Sequence, residues 1–447
     1  MRIFTAFRAL YFATLTLLTG SGLLSTYLGL RLAAEKVDGL WIGAMMAAYY
    51  LGLVLGGKIG HRLIARVGHI RAYVACGGLV VAAVLGIGLT NWPAIWLLLR
   101  TLIGLGMMCQ YMVIESWLNE QAEARQRGAV FAGYMVASYL GLVAGQLILV
   151  VHPGLGPDLP MMIALAFALS LIPVSITHKV HPAPLHPAPL EPRFFIRRVP
   201  QSLTTVLVSG LVIGSFYGLA PLYATEQGLS VEQIGVFMGV CIFAGLLVQW
   251  PLGWLSDRYD RALLIRNAGI LLLVFALPLA VLPALPMEAM VPMGFMVCLV
   301  QFTLYPLAVA FSNDHVEGER RVSLTAMLLV TFGVGACVGP LATGALMRAF
   351  GPNMLYAFAA ACALIVIWRV RPEKVTGLHR VDEAPVKHVP TPDSLASSPL
   401  SAALDPRVAD ETVEEQMKTT PAPATPEAAT MAGAAGVPEA EEESRPG

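Results

Sequence analysis

Gly253-Trp-Leu-Ser-Asp257-Arg258-Tyr-Asp260-Arg261 is the stretch on which the reading of the chain turns. Four charges fall within the five residues 257–261, yet long apolar runs flank them at 233–255 and 262–283. A bilayer core about 30 Å thick needs roughly 20 apolar residues to be crossed by a helix. Both runs are long enough. The charged stretch therefore reads as a tight turn joining two membrane crossings on one face of a bilayer.

Working outward, twelve runs pass the same test: 7–30, 41–63, 71–90, 94–117, 128–151, 160–178, 201–224, 233–255, 262–283, 289–312, 321–347 and 353–369. Asn91-Trp92-Pro93 and the Gly/Pro-rich stretch 152–160 are typical of the short turns between them. The first run continues past twenty residues without a cleavage site, so it is expected to remain as a helix rather than leave as a signal peptide. Hydrophobic residues make up 56% of the 447 and charged residues only 13%, where soluble domains carry about 25% charged. Mean hydropathy is +0.68. That composition excludes a soluble enzyme, a nucleic-acid binder and a disordered regulator.

The net charge of zero averages two unlike pieces. Residues 1–371 hold 23 Lys and Arg against 15 Asp and Glu; residues 372–447 hold 6 against 14. If the N-terminus is inside, nineteen basic residues face the cytoplasm and three (Arg31, Lys36, Arg348) face out. The positive-inside rule then predicts both termini in the cytoplasm of an inner-membrane protein. The tail, rich in Ala, Pro, Glu and Thr, lacks the apolar surface to offset ordering and is expected to be disordered. The stretch 178–200 repeats proline and favours an extended spacer. Its histidines (His178, His181, His186) are held apart by proline, so a spacer outweighs a metal site. Phe194, Phe195, Arg197 and Arg198 after it suit a short amphipathic piece on the inner face. The expected organisation is a six-helix half at 1–178, a linker at 179–200, a second six-helix half at 201–371 and the tail at 372–447. Six cysteines (Cys76, Cys109, Cys241, Cys298, Cys337, Cys362) stand singly in apolar runs, as small buried residues do.

The halves repeat. At a shift of 192, Ile42-Gly43 falls on Ile234-Gly235, His61 on Gly253, Leu63 on Leu255 and Arg66 on Arg258. At 194, Gly141-x-x-x-Gly145-Gln146 falls on Gly335-x-x-x-Gly339-Pro340. Such a parallel duplication is a known transporter layout, with the site between the halves at mid-depth.

These residues carry a resemblance. The run 253–261 resembles the G-x-L-x-D-R-x-G-R loop motif of the major facilitator superfamily, with Asp260 in place of the second glycine. Arg100-x-x-x-Gly104-x-Gly106 and Gly335-x-x-x-Gly339-Pro340 resemble two more of its motifs. FYGLAPLY (216–223), QWPLGWLSDRYDR (249–261), FTLYP (302–306), VIES (113–116) and RVGHIRAY (66–73) are similar to its YcaD-like branch. The resemblance implies an all-α membrane protein with twelve helices in two pseudo-symmetric halves. The first-half loop departs from the pattern: Ala65 stands at the acidic position and His61 at the leading glycine.

Charge within lipid costs about 2.5–3.5 kcal/mol on insertion scales. Three residues raise the question: Lys58, Arg100 and Glu115. Lys58, a turn from the end of its run, suits snorkelling to the headgroups. Arg100 shares a helical face with Gly104, Met108, Tyr111 and Glu115. It is either a solute- or proton-linked group, as the resemblance implies, or a structural arginine held by carbonyls. Glu115, ~22 Å along the helix from Arg100, is either a proton carrier or a gate residue paired with Arg66 or Arg125. Gln110, Tyr111, Tyr217, Gln301 and Tyr305 lie on runs that the resemblance places around the cavity. Gly141, Gly145, Gly335, Gly339 and Pro340 are expected to give close helix packing and a moving seam.

The expected function is secondary transport of a small solute by alternating access, with export of an amphipathic compound first and metabolite uptake or ligand sensing as alternatives. H+ is the candidate coupling ion. No phosphate-binding loop occurs, and neither a cofactor, a metal, a catalytic residue nor a nucleic-acid partner is expected; the unit is expected to be a monomer in the lipid bilayer. Asp257, Arg258, Arg261, Gly253 and Arg66 form the expected cytoplasmic gate, with Asp257 reaching the positive N-terminus of the helix that starts near Gly128. Asp257→Asn should then favour the inward-open state, read as increased thiol labelling of the inner cavity mouth and decreased labelling from outside; unchanged labelling from both sides would contradict it.

Overall fold

The computed structural model describes residues 7–122, 127–176, 191–282, 285–372, 381, 384–389 and 398. Among these there is no strand. Twelve long helices carry the fold: α1 (Arg8–Ala34), α2 (Gly39–Val67), α3 (His69–Leu89), α4 (Pro93–Gln121), α5 (Arg127–Val151), α6 (Asp158–Ser175), α7 (Pro200–Glu226), α8 (Val231–Ser256), α9 (Arg261–Val281), α10 (Met287–Asn313), α11 (Arg321–Phe350) and α12 (Met354–Arg369). The first eleven are long and apolar enough to cross a bilayer, and α12 adds 16 residues of the same character. The chain is a multi-pass membrane protein. Several helices outrun the apolar stretches that predict them: α2 reaches Val67 and α4 reaches Gln121. Polar residues leave the bilayer core without breaking the backbone ladder.

Local chemistry sets the ends. Asp38 accepts from the backbone of Leu40 and Trp41 and starts α2. Ser230 and Gln233 form a reciprocal capping box at α8. Asp260 accepts from Leu263 N and starts α9, so the residue that departs from the loop motif serves as a helix cap. Gly68, at φ 85°, ends α2 in a backbone region that disfavours side chains.

Within each half one contact repeats. A Cβ on Gly141 or Gly145 of α5 would lie 2.5 and 2.6 Å from the carbonyls of Leu15 and Thr19 on α1. On Gly335 and Gly339 of α11 it would lie 2.3 and 2.2 Å from those of Leu207 and Leu211 on α7. The duplicated glycines therefore clamp α5 to α1 and α11 to α7 inside the halves. The seam between halves uses other small residues. Gly43 of α2 meets the Pro340 carbonyl of α11, where a Cβ would come to 2.1 Å; Gly344 meets the Gly39 carbonyl, at 2.2 Å. Gly29 packs on Pro221, Gly218 on Met46, and Gly235 on Gln146. Arg348 and Asp38, 3.6 Å apart, bridge the halves there.

All these contacts lie at the end remote from the charged turn 257–261, called the far face below; the other end is the basic face. Toward the basic face, α4 and α10 pack chiefly within their own halves. The halves are thus sealed at the far face. The short helix Pro192–Arg198 docks on the protein by one side: Phe195 is fully buried, Arg198 Nε donates to the His315 carbonyl at 2.8 Å, and Ile196 is exposed. Lys179, Arg125 and the linker histidines lie outside the described residues.

Gly339→Val should lower stability by about 1–3 kcal/mol, since the clash is with backbone that cannot rotate away. Gly57→Val, with nothing within 4 Å of its Cβ position, should be near neutral. Thermal melting in detergent compares them; equal midpoints would contradict the clamp.

Candidate functional site

Arg100 is the deepest cation, 1% exposed in α4. Its Nη2 donates to Ser25 Oγ of α1 at 2.8 Å, and the guanidinium lies 4.5 Å from the Tyr49 ring centroid on α2. Among the described residues, Nε and Nη1 have no hydrogen-bond partner. The space beside it, lined by Met45, Met46, Leu28, Leu32 and Ile42, has an accessible volume of about 10 Å³ and lies under the far-face seal. That is room for about one water molecule.

Aromatic side chains extend from Arg100 across both halves. The Tyr49 and Tyr111 hydroxyls are 3.5 Å apart. Tyr49 packs on Tyr50 at 5.7 Å, Tyr50 on Phe332 of α11 at 6.3 Å, and Phe332 on Tyr305 of α10 at 5.5 Å. A second wall runs from Tyr139 of α5 to Phe302 of α10 at 6.2 Å, and on to Tyr217 of α7 at 6.2 Å. The two walls meet on α10, three residues apart. Edge-on rings at these spacings are a favoured contact.

Tyr111, Tyr217 and Tyr305 thus join the central walls with Arg100. Gln110 and Gln301 do not. Gln110 turns toward Gly77 of α3, whose added Cβ would lie 2.9 Å from its Nε2, and α3 packs on α4, α6 and α2 of the first half. Gln301 donates to Cys298 Sγ at 3.3 Å and faces α7 and α12 inside the second half. Both are corrections to cavity-lining roles: each glutamine packs inside its own half. Tyr49, Tyr50, Tyr139, Phe302 and Phe332 are site residues the sequence reading passed over; the tandem tyrosines at mid-span were the available signal.

Glu115 is fully buried near the basic face. Tyr134 of α5 donates to its Oε1 at 3.2 Å. The Ser398 backbone N–H donates to both carboxylate oxygens at 2.9 and 3.1 Å, and the Ser398 hydroxyl donates to Oε2. Arg66 lies exposed at the end of α2, and Arg125 falls outside the described residues. Lys58 is exposed on α2.

The charged turn is built around Arg261, 4% exposed. Its Nη1 donates to Asp314 Oδ1 at 2.7 Å and the Ala310 carbonyl at 2.9 Å; its Nε donates to the Ser256 carbonyl at 3.2 Å. Asp257 Oδ1 lies 3.5 Å from Nη2. Arg258 instead stacks on Trp254, 4.3 Å from ring centroid to guanidinium carbon, and is exposed. Asp314 was not singled out from the sequence; it stands at the end of α10, where a charge reads as ordinary solvation. At the position that the 192-residue shift pairs with Arg261, the first half has His69, buried and 3.3 Å from Ser116 Oγ. In the first half a histidine thus stands where the second half has the arginine of this network.

The Major Facilitator Superfamily sequence profile matches residues 10–305. The chain belongs to that superfamily. It is 33% identical over 347 residues to an uncharacterized MFS-type transporter of Enterobacter sp. (strain 638), covering 77% of this chain and 89% of the relative. It is 32% identical over the same length to the uncharacterized MFS-type transporter YcaD of Escherichia coli O45:K1 (strain S88 / ExPEC), with the same coverage. In fold it is similar to the nucleoside transporter NupG (TM-score 0.68, 12% identity, 80% of this chain and 96% of that one). It is also similar to a D-xylose-proton symporter (TM-score 0.62, 12% identity, 84% and 100%). The twelve helices adopt the fold of these transporters.

Arg261→Gln should destabilise the protein by about 3–5 kcal/mol, because it leaves Asp314 buried without its cation. Asp257→Asn, at 37% side-chain exposure, should cost far less. Chemical denaturation in detergent ranks them; a small Arg261→Gln effect would contradict the network.

Proposed function

We propose that this superfamily member is an inner-membrane secondary transporter whose basic face is cytoplasmic. Its solute is a small amphipathic molecule carrying an anionic group. The observation that carries this reading is Arg100: a buried guanidinium with two nitrogens unpartnered, flanked by apolar and aromatic walls. A carboxylate reaching it would form charge-assisted hydrogen bonds, while Tyr49 and the methionines cover the apolar body. The organisation into halves at 1–178 and 201–371 around a linker at 179–200 fits this reading, as does the basic-loop bias, which places both termini inside.

The drive we assign is the proton gradient, with Glu115 as the titrating group. A D-xylose-proton symporter among the structural neighbours supports that choice. Export is the direction we assign first. Uptake is the second reading, supported by the same symporter.

A thermal-shift screen of the purified full chain tests the solute class. Apolar carboxylates should raise the melting temperature, their neutral amides should not, and Arg100→Gln should abolish the shift; saturation at 100 times Kd corresponds to about 2.7 kcal/mol. Equal shifts for acids and amides, or a shift that survives Arg100→Gln, would contradict an anion site.

A further inference from the structure

Part of the C-terminal tail is bound by both halves. Composition points to a solvated tail, yet Val386, His388 and Ser398 are 8%, 5% and 0% exposed. On the second half, Val386 N donates to Asp314 Oδ1 at 2.9 Å, and its carbonyl accepts from Arg261 Nη2. His388 N donates to Asp257 Oδ1 at 2.7 Å, and its Nδ1 lies 3.0 Å from Ser256 Oγ. The His388 ring covers Gly253, whose added Cβ would sit 3.3 Å from it. Pro385 lines a cleft of about 230 Å³ beside the charged turn. On the first half, Ser398 caps Glu115 through its backbone and its hydroxyl.

Three backbone N–H groups thus meet three carboxylates, one from α4 and two from the second half. Such pairing is how a groove recognises an extended peptide, since backbone donors to ionised acceptors are strong bonds. The occupied groups are those that the transport cycle would use. Asp257, expected to latch the halves when they close at the cytoplasm, is taken by His388. Glu115, the titrating carboxylate, is taken by Ser398.

We propose that Ala384–Val389 and Ser398 form a plug: the chain's own tail binds the cytoplasmic mouth as a tethered peptide ligand, holds the halves inward-open and competes with closure. The regulatory part rests on the transporter reading above; the docking itself does not. A ligand that binds one conformation shifts the equilibrium toward it. A tether supplies it at an effective concentration on the order of millimolar.

The test uses the full chain and no solute, so its failure is separable from failure of the thermal-shift screen. Ser398→Cys should react with an impermeant maleimide at least tenfold more slowly in the folded protein than in dodecyl sulfate. Adding Val386→Asp, which sets a carboxylate among Asp257 and Asp314, should speed the folded-state reaction at least tenfold. Spin labels at Ala65→Cys and Tyr259→Cys, both exposed on opposite halves, should report one long distance with the native tail. With Val386→Asp, a shorter population should appear. If Val386→Asp does not fold, Ser398→Asp, which sets a carboxylate against Glu115, takes its place in the distance measurement. Equal labelling in folded and denatured protein overturns the docking; an unchanged distance distribution with either tail variant overturns the lock.

Discussion

Backbone touching backbone across the far face is the constraint on which the rest depends. Gly43 against the Pro340 carbonyl, and Gly344 against that of Gly39, bring α2 and α11 together with no side chain between them. In lipid the hydrophobic effect does not drive helices together, so close van der Waals packing of small residues must do so. Sealing there fixes the remaining geometry. Arg100 is buried beneath the seal, and the aromatic walls cross from one half to the other.

The charged turns show why the two halves are not interchangeable. Arg261 is consumed by Asp314, Ser256 and Ala310, which makes the turn at 253–261 a rigid block presenting Asp257 outward. Across the pseudo-symmetry axis, His69 lies 3.3 Å from Ser116 Oγ, and Ala65 offers no carboxylate. Asp257, the acid of the loop motif, is also the one that the tail engages.

Much of this was legible in the sequence. Crossing number follows from apolar length, because bilayer thickness is fixed, and the duplicated glycines were visible because backbone contact tolerates no other residue. The site was less legible. Helices apolar on every side carry no periodic signal for the face that meets the partner, so Tyr49 and Tyr50 stayed hidden and Gln110 and Gln301 were placed on the wrong side. The glycines expected at the moving seam clamp each half internally, since a motif shows that something packs closely and not what. The tail was read by average composition. The average hides Ala-Pro-Val-Lys-His-Val at 384–389, a local segment with apolar side chains to bury.

Thiol labelling of Ser25→Cys from each side of the membrane tests the central claim most directly, because Ser25 bonds to Arg100 under the seal. A site that opens to one compartment at a time predicts that any condition raising labelling from the outer side lowers it from the inner side. Simultaneous labelling from both sides, rising and falling together, would describe a pore and contradict the account.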